Sequence, residues 1–406
     1  MAVAALILRK QLVAKASDIT VFEKSATHYY QPAFTMVSGG LLGSKEEDVV
    51  RTSTGLVHRP AASVFDEQIN LVPDEITEFD PNQNKVMTSN GKSYTYDYLI
   101  VACGNKLRYD LVEGAVDALN DPQSGVGSMY DFTYAKKINQ LRANFKGGKI
   151  IATQPPMPIK CAGAPQKWVY LCEEAMRNEL HQTAVSKAIS PHFEYDVTKV
   201  DDQKKKVHFK KIGSKASKNE VIIESYDMLH LVPPQRPHES VAKASFSNDA
   251  GYVDVHKYTL QSTRFENVFS LGDCSSLPTS RTAAAVFAQS PILVHNLEKV
   301  MTGNKHEIKE LYDGYASCPI FVGDKKLILA EFLYDGQISE TFGRFVDQRT
   351  PRMFFYYLKR YIFPYVYWNY VPRAQWFGRD GFMPPAFFSS TSSNSTSGQK
   401  VKKNSH

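Results

Sequence analysis

The sequence predicts an α/β protein with two Rossmann-like units, followed by a C-terminal amphipathic segment suited to a membrane surface. Three observations carry this. Residues 267–289, NVFSLGDCSSLPTSRTAAAVFAQ, read as a short apolar strand that stops at Gly272-Asp273, a loop, and an Ala-rich helix from Thr282. Tyr96 to Gly104, YDYLIVACG, is a continuous apolar run ending in glycine, as a buried parallel strand would be, and Lys149 to Thr153 (KIIAT) opens a second α/β unit. Residues 352–370, RMFFYYLKRYIFPYVYWNY, carry ten aromatics in nineteen positions together with Arg352, Lys359 and Arg360, the mixture of a headgroup-layer segment.

A chain of 406 residues has room for two or three domains. Its net charge of +6 is mild and mostly dispersed, so nucleic acid is not an expected partner, whereas an anionic membrane surface is compatible. Five cysteines without a C-x-x-C pair argue against both a secreted disulfide framework and a structural zinc site. The sequence contains no apolar run long enough to span a bilayer.

Taken in order, Ala2 to Ala16 reads as an amphipathic helix and Asp18 to Glu23 as a strand. The basic, acid-poor start also matches a mitochondrial presequence, but the helix passes straight into the strand, which suits the first helix and second strand of a Rossmann unit better. Glu23 then stands where such a unit grips an adenosine ribose, and the first strand with its Gly-x-Gly-x-x-Gly loop would precede Met1. Short strands are expected at Val64 to Gln68, Asn70 to Val72 and Lys85 to Met87, with turns at Asp80-Pro81-Asn82 and Asn90-Gly91. After KIIAT, the loop Gln154 to Ala164 leads into a helix with Pro165 in its first turn. Residues 180–191, LHQTAVSKAISP, stand where another strand and helix are expected, and Glu220 to Val232 returns to strand patterning. Tyr315 to Pro319 reads as a loop and Leu327 to Phe332 as a strand. Pro364 is expected to divide the aromatic stretch into two pieces, and the tail from Ser389 reads as low-complexity and disordered.

A strand ending in Gly272-Asp273 lets the backbone approach a ligand and aims a carboxylate at a hydroxyl, while a helix just beyond presents free amides to something electron-rich. Together with His28-Tyr29-Tyr30-Gln31-Pro32, Tyr96 to Gly104, KCAGAPQK (160–167) and YDGYASCP (312–319), this pattern resembles the eukaryotic sulfide:quinone oxidoreductases. These are flavoproteins related to disulfide reductases and type II NADH dehydrogenases. The resemblance covers most of residues 2–388. KCAGAPQK and YASCP discriminate best, since each puts a cysteine where the family keeps one.

The resemblance implies oxidation of sulfide through Cys161 and Cys318, with FAD passing electrons to ubiquinone and glutathione or sulfite taking the sulfur. Cys161 suits the flavin-facing role, ahead of a helix N-terminus with Lys160 beside it, both of which lower a thiol pKa. Cys318 suits the sulfur-carrying role. The implied FAD-binding residues are Glu23, Gln31, Gly104, Gly272, Asp273, Arg281 and Thr282, Arg281 helping to stabilise the reduced flavin's negative charge. Cys103, Cys172 and Cys274 read as small buried hydrophobes, Cys274 having no evident partner, and His28 as a satisfied loop histidine.

The expected organisation is a discontinuous FAD-binding domain (1–140 and 245–325), an incomplete second Rossmann-like domain (141–244), and a membrane-associating region (326–388). The expected location is the mitochondrial inner membrane, bound to one face. Lack of the diphosphate loop would weaken FAD binding, which leaves a flavin-less membrane-surface protein as a rival. Type II NADH:quinone oxidoreductase is the second rival, but it needs a Gly-rich loop where this chain has QPPMPIKCAGAP.

Overall fold

The computed structural model describes residues 1–10, 14–43, 55–179, 189–213, 220–308, 310–385 and 387. The stretch 180–188 and the tail from Ser389 lie outside them, as do residues 11–13 of the expected first helix.

The first helix spans Ala2–Arg9 and packs on the Ala-rich helix Ala283–Met301. Leu6 and Ile7 enter the same core as Leu293, Val294, Leu297 and Val300. Just past the first helix, the ammonium of Lys10 meets Glu298 at 2.6 Å. Below this helix pair lie two parallel ladders. Thr20–Phe22 pairs with Asn70–Val72, and Leu99–Val101 with Val268–Ser270. Among the described residues no strand joins them.

The second unit is a three-stranded parallel sheet in the order Val126–Gly127, Met228–His230, Ile150–Ala152, followed by an antiparallel meander over residues 195–225. Its helix Ala164–Glu179 begins one residue before Pro165, whose missing N–H costs nothing in a first turn. Asn105–Leu107 and Gln235–Pro237 pair antiparallel where the chain crosses between the units.

Four expectations are corrected. Residues 64–68 form no strand; a 3-10 turn occupies Ala61–Val64, and the local strand is His58–Pro60. Tyr96 to Gly104 is strand only over Leu99–Val101, because its partner strand Val268–Ser270 ends at the Gly272 turn. Tyr315 to Pro319 is largely strand: Ala316–Gly323 pairs with Lys326–Phe332, and Pro319, with no amide to donate, is accommodated in this two-stranded ladder. Pro364 does not divide the aromatic stretch. Helix Met353–Tyr357, the π-turn Leu358–Ile362 and helix Phe363–Asn369 run on without a break, since Pro364 falls in the first turn of the last piece. No described helix is long and apolar enough to cross a membrane.

The hairpin 316–332 packs along helix Ala164–Glu179 and is pinned by Glu331. This carboxylate is 3% exposed. It accepts hydrogen bonds from Tyr315 Oη, from the Thr341 amide and hydroxyl, and from Gln348 Nε2. Removing it strands two donors of buried residues, Tyr315 Oη and Gln348 Nε2, and a stranded buried group costs about 1–3 kcal/mol, while the exposed Thr341 can turn to solvent. Glu331→Ala is expected to lower unfolding free energy by about 3 kcal/mol or more, read as a shift in urea midpoint; Glu331→Gln should cost less.

Candidate active site

The loop before helix Ala164–Glu179 sets Cys161. Its φ of +83° lies in the left-handed region that a non-glycine residue rarely occupies. A 2.6 Å hydrogen bond from the Ala164 amide to the Cys161 carbonyl closes this turn. Lys167, on the first turns of the helix, swings its ammonium back to within 3.3 Å of the Cys161 sulfur. From the hairpin, 157 residues along the chain, Cys318 brings its sulfur to 4.0 Å from that of Cys161. Gly163 makes room for it, since a Cβ there would stand 2.7 Å from the Cys318 sulfur.

The fourth member is Lys359. On a helical stretch whose neighbours Tyr357, Tyr361 and Ile362 are exposed, it is 4% exposed. It lies in the π-turn, whose extra residue per turn rotates it away from the solvent face. Burial and the nearby Lys167 charge pull its pKa down to about 7, against the attraction of the two sulfurs. Cys161 is pushed in the same direction: hydrogen bonding from Cys318 and the Lys167 and Lys359 charges hold it well below the usual thiol value despite burial. Cys318 is raised, chiefly by that shared hydrogen bond and by burial. The first proton of the pair therefore leaves from Cys161.

The largest cationic contributions come from Lys167 and Lys359, which the sequence did not point to, and Lys160, expected there, attracts the Cys161 thiolate less strongly. Lys160 turns its ammonium to Gln31 Oε1 at 2.9 Å, while its amide donates to Gln235 Oε1 at 2.8 Å. Lys160 and Arg281 both attract the carboxylate of Asp273, whose pKa is nonetheless raised by burial. Arg281 stacks on Tyr252, 4.2 Å from the ring centroid, and donates to its hydroxyl. With its amide nitrogen turned toward Asp273, Asn105 donates to the Asp273 carbonyl and accepts from Arg281, both at 3.0 Å.

The remaining predicted residues frame this group. Gly272 has φ +69°, and its amide donates to Gln289 on the Ala-rich helix at 2.9 Å. Thr282 caps that helix through the Ala285 amide. Gly104 has φ +71° with open space where a Cβ would project. Glu23 follows its strand, accepts from the Ser25 amide, and attracts the amino group of Met1; the structure brings it near the first helix rather than the cysteines. His28 hydrogen-bonds Tyr367 at 2.6 Å, and burial lowers its pKa to about 4, so it is a neutral, satisfied histidine.

Lys167, Lys359, Asn105, Gln235 and Tyr130 escape the sequence reading of the site. Lys167 lies within the KCAGAPQK motif, six residues after Cys161, so a helical reading of that motif would have returned it to the sulfur. Lys359, read from the sequence as a headgroup-layer cation beside Arg352 and Arg360, is instead buried, because the π-turn directs it inward.

Among solved and curated proteins, the family model for pyridine nucleotide-disulphide oxidoreductases matches residues 2–296. The mitochondrial sulfide:quinone oxidoreductase of Schizosaccharomyces pombe is 34% identical over 405 residues, covering 92% of this chain and 85% of the yeast protein. This chain belongs to the sulfide:quinone oxidoreductase family. The Mus musculus member is 35% identical over 389 residues, 89% of this chain and 82% of its own. The sulfide:quinone oxidoreductase of Aquifex aeolicus shares the fold, with TM-score 0.69 at 16% identity over 92% of this chain and 89% of that one. A chain of the Tetrahymena thermophila mitochondrial ATP synthase shares it as well, with TM-score 0.78 at 17% identity and 95% coverage of both chains.

The family is flavin-dependent, and the residues present fit the flavin end of FAD. Two buried donors beside the Lys160–Asp273 group, Gln235 Nε2 and Tyr130 Oη, have no hydrogen-bond partner among the described residues. Gln235 takes the Lys160 amide on its oxygen and the Lys160 ammonium lies 5.9 Å from the Tyr130 ring centroid, so a flat ligand rich in acceptors beside Lys160 would satisfy both donors.

Lys167→Met removes one of the two principal cations holding the Cys161 thiolate. The titration midpoint of Cys161, followed by the pH dependence of iodoacetamide labelling, should rise by about one unit or more. The sign follows from the depressed pKa: the wild-type thiolate persists to lower pH than an ordinary cysteine, and the variant loses it first as pH falls.

Proposed function

We propose that this chain oxidises sulfide through Cys161 and Cys318 and passes the electrons by way of FAD to a quinone. The observation that supports it is the approach of two sulfurs to 4.0 Å between buried ammonium groups. Sulfurs at this separation are unbonded, and a disulfide needs about 2.05 Å, so the arrangement is the reduced form of a pair able to close.

In the oxidised pair, hydrosulfide attacks the Cys318 sulfur. A new S–S bond forms there as the bond to Cys161 breaks, and Cys161 departs with the electron pair as a thiolate. Lys167 stabilises that thiolate through its 3.3 Å hydrogen bond and Lys359 through its charge. Cys318, raised and so the poorer anion, keeps the sulfane sulfur as a persulfide. A small nucleophile of the glutathione or sulfite class then takes the outer sulfur, leaving Cys318 as thiolate. Closing the pair again removes two electrons, and FAD when bound supplies that two-electron acceptance. Asp273, Arg281, Lys160 and Gln31 would hold the flavin, with Gly104, Gly272 and Thr282 forming the backbone cradle and Glu23 reaching the adenosine end.

Two features of one loop favour sulfide over NADH as the electron source. The loop that a dinucleotide would need holds Pro155, Pro156 and Pro158, and it delivers Cys161 to Lys167. Mixing flavin-loaded protein with sulfide should bleach the flavin absorbance, and Cys161→Ser and Cys318→Ser should each reduce sulfide-driven quinone reduction at least 1,000-fold, roughly the scale of losing a nucleophile. Full turnover in either variant, or bleaching by NADH but not by sulfide, would overturn the reading. Absence of flavin bands after reconstitution would instead favour the flavin-less rival.

The helical stretch 353–369 is the proposed membrane-facing element, on the mitochondrial inner membrane. Met353, Phe354, Tyr357, Tyr361, Ile362 and Tyr365 are all exposed on it, while Phe355, Lys359, Val366, Tyr367 and Trp368 are buried. A face of half-exposed aromatics with Arg360 stacked on Tyr361 suits the headgroup layer. Phe354→Ser with Ile362→Ser should weaken binding to vesicles containing anionic lipid about tenfold or more, on the scale of two buried apolar side chains; unchanged co-sedimentation would refute this placement.

A further inference from the structure

Two cysteines outside the active pair lie side by side at the back of the Gly272 turn. Leu99–Val101 and Val268–Ser270 are adjacent parallel strands, with Val101 opposite Ser270. Cys103 follows the first by two residues, and Cys274 ends the short turn Gly272–Cys274 that follows the second. The Cys274 sulfur bridges back to the first strand, 3.4 Å from the Val101 carbonyl, and also meets Ser270 Oγ at 3.6 Å. Its side chain is fully buried, whereas Cys103 is an exposed residue. This corrects the sequence reading, in which Cys103 was a buried hydrophobe and Cys274 lacked a partner. The two thiols are hydrogen-bond partners, which draws the pKa of Cys274 down to about 7 and pushes that of Cys103 up.

We infer that Cys103 and Cys274 form a second, reversible dithiol, oxidised by peroxides to a disulfide that ties the Asp273 turn to the neighbouring strand end. This inference does not rest on the proposed reaction of Cys161 and Cys318. At rest the thiolate of the pair is Cys274; transfer of the Cys103 proton to it along the S–H···S hydrogen bond gives the minor form in which the accessible Cys103 sulfur is the thiolate, and that form attacks hydrogen peroxide. The O–O bond breaks, hydroxide leaves, and Cys103 becomes a sulfenic acid. The Cys274 sulfur then attacks the Cys103 sulfur, the S–O bond breaks, and water leaves. In sum, two thiols and one peroxide give one disulfide and two waters; sulfur loses two electrons and oxygen gains them. Cys103 and Cys274 lie two and four residues beyond the paired Val101 and Ser270, and the Cys274 sulfur already reaches the Val101 carbonyl at 3.4 Å, so closure needs only a local adjustment of the turn.

The active-site cysteines offer the competing outcome, since Cys161 carries the more depressed thiol. The test is disulfide mapping by mass spectrometry on the full chain after one equivalent of hydrogen peroxide, in the Cys161→Ser, Cys318→Ser background that removes this competition. The expected result is a peptide pair joining Cys103 to Cys274 in most of the protein, lost on treatment with dithiothreitol. Cys103→Ser, at an exposed position, should abolish the cross-link and leave Cys274 as a free thiol. Conversion of Cys103 to sulfinic acid without a cross-link, or no change at either cysteine, would overturn the inference.

Discussion

The contact between the Cys161 sulfur and the Lys167 ammonium is the interaction on which the other features of the site depend. It requires Cys161 to hold a left-handed backbone at the head of helix Ala164–Glu179, so that a side chain one and a half turns later can reach back to it. It requires Gly163 between them, because any larger residue would occupy the space of Cys318. Cys318 in turn depends on the hairpin 316–332, on its packing along that same helix, and on the Glu331 network beneath it. One ion-pairing geometry thus draws on three separate parts of the chain.

Two buried lysines would be costly if both stayed fully charged without a counter-ion. Here the charge state is shared. Lys167 stays protonated because both sulfurs attract its proton, the pKa being raised despite burial. Lys359 is poised near neutrality, so it can carry charge when the sulfurs are anionic and lose it when they are not. Burial alone would have neutralised both. The difference between them is distance to sulfur, since only Lys167 makes the direct hydrogen bond.

Much of the site is legible in the sequence where chemistry is carried by contiguous residues. KCAGAPQK and YASCP mark the two sulfurs, and the strand–Gly272–Asp273–helix succession marks the flavin side, because local backbone form follows from local composition. The errors fall where partners decide. Tyr315 to Pro319 looks like a loop until Lys326–Phe332 pairs with it, and Pro364 looks like a break until a π-turn places it in a first turn. Lys160 looks like the cation beside the thiol because it is adjacent in sequence, yet its side chain points to Gln31. Cys103 and Cys274 look unrelated because 171 positions separate them, and only the pairing of their strands makes them neighbours.

What the sequence by itself determined is the identity of the reactive atoms and the local turns that carry them: two cysteines, a glycine-acid strand end, an alanine-rich helix and an aromatic amphipathic stretch. Their spacings follow from short-range propensity and hydrophobic pattern, which act within a few residues. Only the tertiary structure decided which charges surround the sulfurs, which face of the last helix turns inward, and which cysteines meet. Those outcomes are set by packing between segments distant along the chain, where burial changes a lysine from a solvated cation into a partner for a thiolate.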